Sequence, residues 1–64
     1  GAGFYRDIRA LLLQYGCVMV RQGKGSHEVW RSPLNHRSFT VAVTVDSRIM
    51  ANEILKQAGI SQKL

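Results

Sequence analysis

The sequence predicts a two-layer α+β domain in the order helix, strand, strand, strand, helix. Two segments, one near each end of the chain, carry apolar residues at helical spacing. Three short segments rich in β-branched residues lie between them and are separated by Gly, Pro and Asn. Strands so close in sequence form an antiparallel sheet through tight turns, and both helices are expected on one face of that sheet.

The first helix is predicted over residues 4–15. One helical face gathers the apolar side chains, and the opposite face carries charged and polar ones. Gly16 follows the last apolar position and can adopt the left-handed conformation that ends many helices. The apolar face consists of Phe4, Ile8, Leu11, Leu12 and Tyr15.

The three strands are predicted over residues 17–22, 28–32 and 37–45. Gly23-Lys24-Gly25 forms the loop after the first strand, and Pro33-Leu34-Asn35 forms the turn after the second. The third segment alternates strictly, so one face should pack on a core and the other should meet solvent or a ligand. Its predicted core side is Phe39, Val41, Val43 and Val45, and its other side is Ser38, Thr40, Ala42 and Thr44.

The last helix is predicted over residues 48–58, with Asp46 or Ser47 as its N-cap and Gly59 after its end. Residues 1–3 (Gly-Ala-Gly) look like a cloning remnant, which leaves a single domain over residues 4–64. The residues expected to face the core from this helix are Ile49, Met50, Ile54, Leu55 and Ala58.

The chain is small and strongly basic. Its 64 residues include nine Lys and Arg against four Asp and Glu, which gives a net charge of +5 and a pI near 10.2. This balance favours nucleic acid or an acidic protein as the partner. No long apolar stretch or signal pattern is present, so a cytoplasmic protein is expected. The lone Cys17 and the scattered acidic residues predict neither a disulfide nor a metal or other cofactor.

His27 is the central candidate for chemistry, because a glycine-flanked loop delivers it to the start of the second strand. Imidazole exchanges protons near neutral pH. Gly25 allows a close approach, and Ser26 and Lys24 could contact a phosphate. RNA carries its own nucleophile, the 2′-OH, so one base with nearby donors is enough for slow cleavage without a metal. The alternative is a strand-end histidine that only fills space.

Other residues could bind RNA around this loop. The basic side chains Arg21, Arg31 and Arg37 lie on strands or turns and could contact a phosphate backbone, or they could form a solvated basic surface. Trp30 could stack on a base, although a core position is favoured in so small a domain.

Two further polar residues, His36 and Glu28, are less favoured candidates for a role beside His27. His36 lies in the turn after Pro33, where an exposed loop position is the default and an acid role paired with His27 is the alternative. Glu28 should point to the opposite face of the sheet from His27, so it is not expected to orient the imidazole.

The chain resembles the HicA family of mRNA interferase toxins. The matching features are an amphipathic first helix that ends in Tyr15-Gly16, the strand Val18-Met19-Val20-Arg21-Gln22, the Gly25-Ser26-His27 motif, and the closing Ile54-Leu55-Lys56-Gln57-Ala58-Gly59-Ile60-Ser61. These features occur in the order and spacing of the family, and the resemblance covers nearly the whole chain after Gly3. One departure is Val43-Thr44-Val45-Asp46 and Ala51-Asn52, where members often have a Pro and a His, and a Gly-Thr pair.

The resemblance implies a fold like the double-stranded-RNA-binding domain and the toxin role in a type II toxin–antitoxin pair. It implies that His27 is the catalytic residue of a metal-independent endoribonuclease acting on mRNA, and that a HicB-type antitoxin covers the active face. The competing interpretation is a non-catalytic RNA-binding module of the same fold, whose loop holds phosphate without turnover.

Overall fold

The computed structural model describes residues 3–64 and confirms the predicted α+β architecture. The three strands form one antiparallel sheet with β2 in the centre. The sequence predicts that residues 1–3 are a cloning remnant. Positions 1 and 2 of that segment lie outside the described residues. The elements are α1 (Tyr5–Gln14), β1 (Val18–Gln22), β2 (His27–Arg31), β3 (Ser38–Ala42) and α2 (Arg48–Gln57).

Both helices end in the same left-handed glycine motif. Gly16 and Gly59 directly follow the C-caps of α1 and α2, with φ of 87° and 78°. In each motif the glycine and the next residue donate backbone hydrogen bonds of 2.8 to 3.0 Å to the last helical turn. The next residues, Cys17 and Ile60, are buried, which adds the apolar contact typical of this motif.

The sheet has one covered and one open face. Trp30 of β2 and Phe39 and Val41 of β3 are buried in the same cluster as α1 and α2 side chains, so both helices cover this face. Cross-strand partners lie on the same face of an antiparallel sheet. The strand register therefore defines the open sheet face as Val18 and Arg21 of β1, His27, Val29 and Arg31 of β2, and Ser38, Thr40 and Ala42 of β3.

The third strand is shorter than predicted. It ends at Ala42 rather than at residue 45, because the chain turns there and the Val45 amide donates to the Ala42 carbonyl at 3.1 Å. Val43 is only partly buried, whereas Val45 is buried in the core after the turn. The second strand covers residues 27–31 instead of 28–32, and each other predicted boundary agrees within one residue.

The predicted inner face of α2 is partly wrong. Ile49 is 83% exposed and Met50 is 51% exposed, while Ala51 is buried. The buried positions repeat at the spacing of one helical face, and the first-turn residues Ile49 and Met50 fall outside that face. Ser47 is the N-cap, since its hydroxyl accepts a 3.4 Å bond from the Met50 amide. The complete inner face is Ala51, Ile54, Leu55 and Ala58.

Candidate functional site

His27 lies at the first position of β2, on the open sheet face, opposite Ala42 of β3. Its side chain is exposed. The preceding loop folds back closely, and the Gly23 amide donates a 2.8 Å bond to the His27 carbonyl. A Cβ on Gly23 would lie 3.0 Å from that carbonyl oxygen, which is tighter than most Cβ contacts, so a larger residue there would have to displace the His27 backbone slightly. The backbone therefore fixes where the imidazole leaves the sheet.

A single carbonyl group orients the imidazole ring. The Nδ1 atom of His27 lies 3.2 Å from the Lys24 carbonyl oxygen, which also accepts a 3.1 Å bond from the His27 amide. A carbonyl oxygen can only accept, so this contact is a hydrogen bond when Nδ1 carries the proton. In the neutral ring the lone pair is then on Nε2, the nitrogen suited to remove a proton from a substrate.

The loop before His27 is fixed through its backbone and leaves its polar side chains exposed. Gly25 has φ of 60°, a conformation that favours glycine, and its carbonyl accepts a 3.4 Å bond from Gln22 Nε2. The Ser26 carbonyl accepts a 2.8 Å bond from the Val43 amide, which attaches the loop to the end of β3. The side chains of Lys24 and Ser26 are exposed and can meet an anionic ligand.

A groove of about 240 Å³ opens beside His27, between β3 and α2. We call it the His27 groove. The groove does not follow from the sequence pattern, because helical periodicity predicts Met50 in the core and indicates no role for the polar residues of α2. Only the packing of α2 beside β3 brings them to His27. Besides His27 itself, the lining residues are Thr40, Ala42, Met50, Glu53, Ile54 and Gln57.

The three candidate arginines occupy different parts of the domain. Arg21 pairs with Val29, two residues along β2 from His27 and on the same face. Arg31 shares that face but lies at the other end of β2, about 13 Å from His27 at the usual rise of a strand. Arg37 is exposed and follows the turn at the same far end. The fold thus brings Arg21 close to the His27 loop and leaves Arg31 and Arg37 apart from it.

The second histidine does not join the site. His36 lies in the turn between β2 and β3, where its amide donates a 3.0 Å bond to the Ser32 carbonyl. The length of β2 separates this turn from His27, so the two imidazoles cannot act as an acid–base pair on one bond within the same molecule.

Trp30 and Glu28 belong to a buried polar network on the covered face. Trp30 is 1% exposed, which excludes it as a stacking platform for a base. Its Nε1 donates to a Glu28 carboxylate oxygen at 3.0 Å, and the Tyr5 hydroxyl donates to the same carboxylate at 2.8 Å. Burial raises the pKa of Tyr5, and the hydrogen bond to Glu28 and its charge raise that pKa further. Glu28 therefore connects α1 to β2 and faces away from His27, as predicted.

Among residues 3–64, no group of three or more His, Cys, Asp or Glu side chains is arranged to hold a metal ion. No helix in the same range has both the length and the apolar character needed to span a bilayer.

Comparison with known protein families identifies the family of this chain. The family model described as the HicA toxin of bacterial toxin–antitoxin systems matches residues 5–60, which includes every helix and strand and the His27 loop. Searches among curated proteins and among solved structures find no significant match. The matched residues make up most of the 64-residue chain. The chain therefore belongs to the HicA family, the toxins of bacterial toxin–antitoxin pairs.

Proposed function

We propose that this toxin is a metal-independent endoribonuclease that cleaves mRNA with His27 as its general base. The observation that carries the proposal is the hydrogen bond from His27 Nδ1 to the Lys24 carbonyl, which leaves Nε2 free on an exposed ring. A base with an accessible lone pair is what the 2′-OH of RNA requires.

The reaction needs no external nucleophile. Nε2 of His27 removes the 2′-OH proton, the 2′-oxygen attacks the adjacent phosphorus, and the bond from phosphorus to the 5′-oxygen breaks. A water molecule protonates the departing 5′-oxygen, and the hydroxide that it leaves takes the proton from the His27 imidazolium. The products are a 2′,3′-cyclic phosphate and a 5′-hydroxyl end. Ser26 and Lys24, with the backbone at Gly25, would stabilise the charge that develops on the phosphate.

Basic side chains would hold the RNA on the open sheet face. Arg21 would contact phosphates beside the cleaved bond, and Arg31 and Arg37 would contact the strand about 13 Å further along. A HicB-type antitoxin would restrain the activity by covering His27. The net charge of +5 supports both partners, since RNA and an acidic protein surface each complement it.

The test is cleavage of an end-labelled RNA in EDTA by wild-type protein, His27→Ala and His36→Ala. We expect cleavage and growth arrest to disappear in His27→Ala only, because His36 lies at the far end of β2. His27 is exposed, so its replacement should change stability by no more than about 0.5 kcal/mol in a melt.

The products and the variants separate the competing interpretations. A 2′,3′-cyclic phosphate end supports attack by the 2′-oxygen. Growth arrest by His27→Ala at matched expression would show that the catalytic assignment is wrong. RNA binding without cleavage by any of the three proteins would favour the non-catalytic RNA-binding module.

A further inference from the structure

The His27 groove has a chemistry that phosphate contacts alone do not explain. Among the described residues that line it, only His27 and Glu53 have ionisable side chains, and Glu53 is a carboxylate on a chain with a net charge of +5. A carboxylate repels phosphate, so Glu53 is poorly placed to hold the RNA backbone. It can, however, accept a hydrogen bond from an exocyclic amine of a base.

The walls of the groove supply apolar surface against which a flat ring can pack. Met50 and Ile54 of α2 and Ala42 of β3 supply apolar surface, and methionine sulfur makes favourable contacts with aromatic rings. Glu53 and Gln57 are four residues apart, so they lie on the same side of α2. The volume of about 240 Å³ is below the roughly 300–1,000 Å³ of pockets for drug-sized ligands, as expected for one base.

We propose that the His27 groove is a nucleobase subsite that recognises the base next to the cleaved phosphate by its exocyclic amine, so that adenine and cytosine are preferred over their carbonyl counterparts, hypoxanthine and uracil. The proposal rests on the endoribonuclease function proposed above. Adenine and cytosine each place an exocyclic amine beside a ring-nitrogen acceptor. The Glu53 carboxylate would accept from the amine, and the Gln57 amide would donate to the ring nitrogen. Uracil and hypoxanthine place a carbonyl where that amine would be, which would face Glu53 with a second acceptor.

Binding of non-cleavable oligonucleotides tests this subsite independently of catalysis. The probes are fluorescent 2′-O-methyl RNA hexamers that are uracil throughout except for one central position, which is A, hypoxanthine, C or U. We expect wild-type protein to bind the A and C probes about tenfold more tightly than their carbonyl counterparts, because a well-placed base contact discriminates at this level. The same series with a single cleavable ribonucleotide gives the corresponding ratio of kcat/KM.

Variants assign the preference to the groove. Glu53→Gln, whose amide can pair with either kind of base, should reduce the preference below about threefold, and Gln57→Ala should weaken binding of the A and C probes selectively. Asp46→Asn is the matched control, since it removes the same charge from an exposed residue outside the groove. It should keep the full preference.

These experiments distinguish the loss of base selection from the loss of nuclease activity. Equal binding and equal cleavage of all four probes by wild-type protein would overturn the subsite, even if His27 proved essential. Groove variants that weaken an antitoxin complex but leave the base preference intact would overturn it as well. A base preference in binding would support the subsite even if no probe were cleaved.

Discussion

At the residue scale, two neighbouring side chains of β2, His27 and Glu28, each have specific hydrogen-bond partners. His27 uses Nδ1 to contact the Lys24 carbonyl at 3.2 Å, and this contact selects one tautomer of the neutral ring. Its neighbour Glu28 is 8% exposed and accepts from both Tyr5 and Trp30. A buried carboxylate needs such donors, because burying an unpaired charge is costly. Adjacent residues of one strand thus serve the open face and the core separately.

The Tyr5 hydroxyl predicts a loss of stability at alkaline pH. Its pKa is raised by burial first and by Glu28 second, so the folded protein holds this proton more tightly than the unfolded chain does. The resulting stabilisation is present below about pH 10, the value of unfolded tyrosine, and is lost as the pH rises through the folded pKa. Urea unfolding at pH 8 and pH 11 should therefore show a decrease that is smaller in Tyr5→Phe.

Tyr15→Phe is the matched control, since the Tyr15 hydroxyl contacts the neutral Gln62 side chain at an exposed position. It should keep the alkaline decrease of the wild type. At pH 8, Tyr5→Phe should lower the free energy of unfolding by about 1 kcal/mol, because Glu28 loses one of its donors. An alkaline decrease identical in all three proteins would contradict the prediction.

At the element scale, the two faces of α2 predict opposite results for two isoleucines. Ile54 is 7% exposed and belongs to the core, whereas Ile49 is 83% exposed. Ile54→Ala should destabilise the protein by about 2–5 kcal/mol, the usual range for a buried isoleucine. Ile49→Ala should change the free energy of unfolding by no more than about 0.5 kcal/mol. Denaturant unfolding of both variants measures the difference, and similar losses would show that the rotation of α2 is wrong.

The edge strand β1 contains a bulge that makes pairing with a strand of another molecule less favourable. All five of its residues are exposed, including the apolar Val18, Met19 and Val20. The register with β2 shifts between Met19 and Arg21, which leaves Val20 as an extra residue in a bulge. A bulge interrupts the row of backbone donors and acceptors, so it makes an open edge less suited to pairing with another strand.

At the scale of the whole molecule, the proposed RNA contacts of the open sheet face and the His27 loop predict how binding depends on salt concentration. Lys24→Ala, Arg21→Ala and Arg31→Ala should each weaken binding of a non-cleavable single-stranded RNA and reduce its salt slope by about 0.7, the value of one phosphate contact. Fluorescence titrations at several salt concentrations give these slopes.

Arg6→Ala is the matched control for the salt slopes, because Arg6 is exposed on α1, on the side of the sheet away from His27. Its slope should equal that of the wild type. Unchanged slopes in all three test variants would place the RNA on another surface.

The basic charge of the whole domain also predicts how the antitoxin acts. A toxin needs restraint, and an acidic partner would associate quickly through charge complementarity and dissociate slowly if it buried the His27 loop. Co-expression with the cognate antitoxin should give a complex without RNA cleavage, and cleavage should return after the two are separated. Diethyl pyrocarbonate should modify His27 in the free toxin but not in the complex, while the distant His36 serves as an internal reference.

Two outcomes would contradict this prediction. A complex that cleaves RNA as fast as the free toxin would show that the antitoxin does not act by covering His27. Equal modification of His27 in the free and bound toxin would show that the antitoxin binds another surface.

Local sequence patterns alone predict the order of elements, the glycine ends of both helices and the position of His27 at the start of β2. These features depend on neighbouring residues: helical and strand periodicity, left-handed glycines, and a loop between two short strands. The alternation along β2 also predicted that Glu28 faces away from His27.

Tertiary packing determines what surrounds these residues. It leaves Ile49 and Met50 exposed and ends β3 at Ala42. It also brings the Tyr5 hydroxyl within hydrogen-bond distance of Glu28, which is 23 positions away in the sequence. It separates His36 from His27 and places α2 beside β3 to form the His27 groove. These contacts all depend on how helices pack on a sheet, and periodicity within one segment does not specify that packing.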